Sequence, residues 1–234
     1  METLLGLDGL SFILRWLHFF FGIMWIGHLY YFNFTQGAFM AEADAQTKAG
    51  VLTKLLPRAL WWFRWGAMWT FVTGVLMLLL DGHRAGSHAV YTSTSWGVLI
   101  LIGALFGITM WANVWFIIWP NQKVVIQSAT QVAQGGAALP AAAGSAAKAL
   151  LASRTNVMFS LPMLFFMGAA RHLPIQITEQ SNVGAAFGLT GLIWAVLQFN
   201  AMKGKLGPIQ TVKGVITSGF VLTAVIYLIL AFTL

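Results

Sequence analysis

Cysteine is missing from all 234 residues of the chain. Its absence excludes disulfides, thiolate metal sites, cysteine-held iron–sulfur clusters and c-type haem attached through Cys-x-x-Cys-His. Charge is nearly as scarce: 8% of residues are charged, and six are acidic. None of the six falls inside a long apolar run, so the carboxylate relay of a proton-driven pump is lacking. Polar surface is short as well. With 59% hydrophobic residues and a mean hydropathy of +0.78, the chain has too little of it to cover a water-soluble globule. These shortages leave an integral membrane protein whose metal or cofactor, if any, is held by His, Met, Asn, Tyr or carboxylate.

What is present is a series of apolar runs about 20 residues long, the length that crosses a bilayer core. Six are read at about 11–34, 59–80, 96–119, 155–170, 183–202 and 215–234, giving an all-α polytopic membrane bundle with residues 1–234 as a single transmembrane domain. The opening Met1-Glu2-Thr3 has no basic region or cleavage site behind it, so the first run is expected to be a mature span. The fourth run carries Pro162, which either kinks it or marks a helix extended at its start by the Ala-rich stretch before it. Residues 120–153 are expected to be a connector, because small residues such as Gly135, Gly136 and Ala141 offer little side chain to bury.

Orientation follows from the basic residues. Lys48, Lys54, Arg58, Arg64, Lys123, Lys148, Arg154, Lys203, Lys205 and Lys213 lie on one side, while Arg15, Arg84 and Arg171 lie on the other. The positive-inside rule makes the first side cytoplasmic, the 120–153 connector included, and places both termini outside. In a bacterium this describes a multi-pass inner-membrane protein. The net charge of +7 then reflects topology and anionic headgroups, and dispersed loop cations give no footprint for nucleic acid.

Polar residues inside apolar helices are costly and mark functional sites. In the first span Arg15 and His18 lie near the outer face, and His28 lies ten residues, about 15 Å, deeper. His83 and His88 follow span two, and Arg171 and His172 close span four, so four of five histidines converge on the outer side. A b-type haem needs axial imidazoles on both faces and cations for its propionates. His18 with His83, His88 or His172, and Arg15, Arg84 or Arg171, meet both needs, with His28 left for a second haem. Trp25, midway between His18 and His28, needs a partner for its N–H. His18, His28, His88 and His172 suit copper or zinc equally well. Methionines such as Met110, Met163 and Met167 are the deeper ligands available to such a metal.

The bland readings are an interhelical hydrogen bond for His18, solvation for the loop histidines, and snorkelling for the arginines. The tryptophans of spans two and three read as an interfacial belt.

Several motifs point to a family. Arg15-Trp16-Leu17-His18, Trp25-Ile26-Gly27 and Tyr30-Tyr31-Phe32-Asn33-Phe34 resemble the N-terminal membrane domain of the membrane cytochrome-linked urate oxidase family. The resemblance continues in Asn113-Val114-Trp115-Phe116-Ile117-Ile118-Trp119-Pro120-Asn121-Gln122, in Ser153-Arg154-Thr155-Asn156 and in Pro162-Met163-Leu164-Phe165-Phe166-Met167. Spans five and six share its character alone. The first span is also similar to a broader group holding a haem-associated protoporphyrinogen oxidase and copper-resistance membrane proteins. The resemblance implies a membrane domain without the family's cytochrome c domain, passing electrons to a separate cytochrome c, a quinone or another redox subunit. The expected function is therefore a haem b electron-transfer protein or oxidoreductase, with a urate-oxidase-like activity as its specific form. The alternatives are a copper- or zinc-handling protein and a cofactor-free structural subunit.

Overall fold

A computed structural model describes residues 6–234; the opening Met1-Glu2-Thr3 lies outside the described residues. Six helices are long and apolar enough to cross a membrane: α1 (Leu7–Glu42), α2 (Ala45–Arg84), α4 (Ser95–Ala133), α5 (Ala142–His172), α6 (Val183–Lys203) and α7 (Val212–Thr233). A short α3 (His88–Ser93) links α2 to α4. The described residues hold no strand, in keeping with a bilayer solvent that leaves backbone groups to satisfy one another.

Polar side chains start these helices. Asp44, Ser87, Thr94, Asn182 and Thr211 each accept a hydrogen bond from a backbone N–H in the first turn that follows. Gly86 and Gly135, with φ of 74° and 87°, terminate α2 and α4 in a conformation that glycine adopts without strain.

The first three long helices contain widened π-type turns, at Tyr31–Gln36, Val51–Leu55 and Val114–Ile118. Since successive spans alternate in direction, all three turns lie toward the end of the bundle that carries most of the lysines and arginines. Two precede a proline, Pro57 and Pro120. Proline brings no N–H and its ring crowds the carbonyl four residues back, and a locally widened turn accommodates both defects while the helix continues.

Most of the 120–153 connector is helical. Helix α4 runs on to Ala133 and α5 begins at Ala142, leaving residues 134–141 as the non-helical link. Alanine's helix propensity outweighs the shortage of side chain to bury. The fourth span is accordingly extended at its start, and Pro162 sits within a continuous helix. The carbonyl this proline leaves unbonded, that of Met158, lies against Gly219 of α7, where an added Cβ would come within 3.1 Å of it.

Helices α4 and α5 form the core: 61% of the most apolar stretch of each is buried, against 17% for α1 and 11% for α6. Met163 and Met167 of α5 fill the space over Gly103 and Gly107 of α4. Helix α1 lies antiparallel along α2 in a steady register. Trp25 backs onto Gly66, Gly22 onto Thr70 and His18 onto Gly74, and Asp8 reaches Arg84. Glycine at Gly66 and Gly74 lets the two backbones close up.

Candidate functional site

At the sparsely charged end, carboxylates of the chain itself engage two of the three arginines. Arg15 lies 3.9 Å from Asp81, and Arg84 pairs with Asp8. The Tyr91 hydroxyl donates to the same Asp81 carboxylate at 3.3 Å. Burial and that neighbouring negative charge push the Tyr91 phenol well above its ordinary pKa. Arg171 and His172 are exposed at the end of α5. His83 is exposed in the last turn of α2, and the exposed His88 opens α3 with its ring laid over Gly82.

His18 is different because its hydrogen-bond partners favour one tautomer of the ring. The Thr73 hydroxyl donates its single proton to the Trp69 carbonyl at 2.7 Å, so toward His18 Nδ1, 3.1 Å away, Thr73 Oγ1 acts as acceptor. The favoured tautomer therefore carries the proton on Nδ1 and the lone pair on Nε2. The ring rests in a cradle over Gly74, where a Cβ would stand 3.1 Å from Cε1. His28 reaches the same tautomer by another route. Its Nδ1 lies 2.7 Å from the Met24 carbonyl, which can only accept, so Nδ1 is the donor and Nε2 is the nitrogen left to bind a ligand when the ring is neutral. Holding Nδ1–H in this way is how metal-ligating histidines are commonly oriented.

Were a b-type haem bound, His18 or His28 would be the residues able to supply an imidazole to it. The register of α1 on α2 separates the other candidate on that pair: His83 lies nine residues beyond Gly74, the residue His18 rests on, which is about 14 Å along the helix. Among the described residues no three metal-ligating side chains of the His, Cys, Asp or Glu type gather. Met110 is fully buried, and Met163 and Met167 pack on glycines. Trp25 is 2% exposed, and its indole N–H has no protein acceptor.

A second set of polar residues, nearer the basic end, was not assigned a role from sequence. Asn113 Nδ2 donates to Asn156 at 2.9 Å and to Gln198 at 3.1 Å, while Gln198 Nε2 donates back to Asn113 at 2.7 Å. Asn156 Nδ2 donates to the Met110 carbonyl at 2.9 Å. This amide network ties α4, α5 and α6 together. Asn33 donates to Ser153 at 2.8 Å, and Tyr30 and Ser160 share a bond of 2.8 Å, joining α1 to α5. The rule that drew attention to His18, a polar group inside an apolar helix, would have found Asn113 and Asn156 too.

Arginines at this end have a different environment. Arg64 lies 3.6 Å from the Trp119 ring centre and its Nε is buried without an acceptor. Arg154 buries Nε and Nη1 with no protein acceptor. Gln36 and Gln122 each bury a side-chain carbonyl with no donor. Donors and acceptors of this kind are costly in a low-dielectric interior unless a ligand or water completes them.

A family model described as urate oxidase N-terminal matches residues 86–231, well over half of the chain. The match takes in α4 to α7, and therefore the Asn113–Gln122, Ser153–Asn156 and Pro162–Met167 motifs. Spans five and six, expected to share only the family's character, lie within it. The first-span motifs precede it. No curated protein and no solved structure matches the chain.

Proposed function

The chain belongs to the urate oxidase N-terminal family, and from that premise we propose that it is a membrane redox protein of the urate oxidase type, binding b-type haem and passing electrons to a separate cytochrome c, a quinone or a partner subunit. One observation carries the cofactor part of this reading. His18 has its Nδ1 proton committed to Thr73, so Nε2 is held ready to ligate iron. Haem bound there would supply one-electron chemistry, and this chain's part is to hold the imidazole in one tautomer over Gly74 within an apolar helix pair. His28, with Nδ1 on the Met24 carbonyl, is the candidate for a second haem. In this reading the basic end faces the cytoplasm of a bacterial cell.

For a planar anionic donor such as urate, Arg154 and Arg64 are the arginines with buried guanidinium nitrogens and no carboxylate partner, in contrast to Arg15 and Arg84. The latter two already have carboxylate partners, whereas charge-assisted and edge-reading bonds need free groups.

The test is the visible spectrum of the purified chain in mild detergent, air-oxidised and then dithionite-reduced. A reduced b-type α band that His18→Ala removes and His83→Ala leaves is the expected result. A featureless spectrum from a preparation that has retained its cofactors would overturn the haem reading.

A further inference from the structure

We propose that the Lys54–Trp62 stretch of α2 is a binding site for the headgroup of an anionic phospholipid. A shallow, open surface depression of about 340 Å³ is bordered by Pro57, Arg58, Trp61 and Trp62 on one face of α2. Its walls differ from an ordinary aromatic belt in two respects. Arg58 is held in place, because its Nη1 donates to the Lys54 carbonyl at 2.6 Å, leaving the rest of the guanidinium free to bind. Trp61 and Trp62 stand edge to face with centres 4.7 Å apart, and each is about half exposed, at 46% and 49%. The two rings form a wall against which a glycerol and the first acyl carbons can lie while Arg58 and Lys54 meet the phosphate.

Charge selects the occupant. Both ion pairs among the described residues lie at the opposite end of the bundle. The two acidic residues at this end are Glu42 and Asp44, and Asp44 is committed to capping Thr47 through two hydrogen bonds. Arg58 and Lys54 are therefore a pair of exposed cations with no carboxylate of their own. A zwitterionic headgroup would bring its ammonium toward both, whereas a phosphodiester without an attached cation neutralises them. The widened turn Val51–Leu55, followed by Pro57, directs the chain so that Lys54 and Arg58 share this edge of α2. The site is independent of the cofactor reading.

The test uses the full chain in neutral detergent, probed by native mass spectrometry with phosphatidylglycerol, phosphatidylcholine or inorganic phosphate. Phosphatidylglycerol is expected to stay bound at least about tenfold more strongly than phosphatidylcholine, each of Arg58→Gln and Lys54→Gln lowering its retention roughly fivefold. Arg58→Lys keeps the charge and should keep most of the selectivity. Millimolar inorganic phosphate should not displace the lipid, because it makes no contact with the tryptophan wall. Equal retention of the two lipids, retention unaffected by the double Gln variant, or displacement by phosphate alone would each overturn the assignment. If the Gln variants fail to fold, the comparison of the three probes on the unaltered chain decides it.

Discussion

His18 Nδ1 lies 3.1 Å from Thr73 Oγ1 across the α1–α2 interface, and Thr73 Oγ1 in turn lies 2.7 Å from the Trp69 carbonyl, an arrangement that favours the imidazole proton on Nδ1. One threonine thus biases which ring nitrogen of His18 is basic. The arrangement depends on the close approach that Gly66 and Gly74 allow, so a packing feature of two helices sets the chemistry of a side chain between them.

Thr73→Val keeps the shape of the side chain and removes the acceptor. The His18 N–H is then left without a partner in an apolar setting, at a cost of about 1–2 kcal/mol. Orienting partners of metal-bound histidines are worth about 10–100-fold in affinity. Haem titration of the depleted protein should show weakening of that order for Thr73→Val and near-normal binding for Thr73→Ser. Unchanged binding in the valine variant, beside loss of binding in His18→Ala, would remove Thr73 from the site.

Helix α6 has little buried surface, so the amide network is its main polar tether to the core. Asn113→Leu would strand Asn156 and Gln198 as well as deleting its own bonds. Buried interhelical hydrogen bonds of this type contribute about 0.6–2 kcal/mol each, and the loss expected for this variant is about 2–3 kcal/mol. A double-mutant cycle on Asn113→Ala and Gln198→Ala, read from unfolding in detergent, should give a coupling of about 0.5–1.5 kcal/mol. Additive effects would show that the two amides act independently.

The six spans were legible because a bilayer demands about 20 apolar residues in a row and little else. The ends were less so, since α1, α2 and α4 continue as helix for 36 to 40 residues, well past the hydrocarbon. Hydropathy falls where the helix leaves the core, but the backbone has no reason to unwind there. The widened turns before Pro57 and Pro120 had a readable signal, a proline inside an otherwise helical pattern. At the site, the sequence singled out His18 and its neighbour Arg15. It did not reveal that Arg15 would find Asp81 and Arg84 would find Asp8, because those pairings follow from the antiparallel register of two helices. The Asn113–Asn156–Gln198 network joins three spans that are distant in sequence and was hidden for the same reason.

Two glycines of α1 and α2 should respond oppositely to the same change. A Cβ on Gly66 would lie 3.1 Å from the Trp25 nitrogen and 3.3 Å from the Phe21 carbonyl, both backbone atoms that cannot move aside. Gly66→Ala should therefore push the helices apart and cost about 1–3 kcal/mol. Gly27 has nothing within 4 Å of its would-be Cβ, so Gly27→Ala should be neutral or gain up to about 1 kcal/mol from helix propensity. Thermal unfolding of the two variants in one detergent makes the comparison. A destabilised Gly27→Ala would show that its exposed face is covered by another protein surface.

Tyr91 provides a pH dependence of known sign. Burial, and then the Asp81 carboxylate to which it donates at 3.3 Å, raise its pKa above the ordinary phenol, while Arg15 opposes them. In the unfolded chain the phenol ionises near pH ~10, whereas in the folded chain it stays protonated to higher pH. The folded state is then favoured in full below the unfolded pKa, and this contribution is lost as pH rises beyond it toward the folded value. Absorbance of tyrosinate should include a late contribution from Tyr91, and Tyr91→Phe should remove that late step. The variant's thermal stability should also fall less steeply than the parent's between neutral pH and strong alkali. If Tyr91→Phe leaves the late step in place, the phenol is not donating to Asp81, and the link from α3 through Asp81 to Arg15 on α1 does not exist in solution.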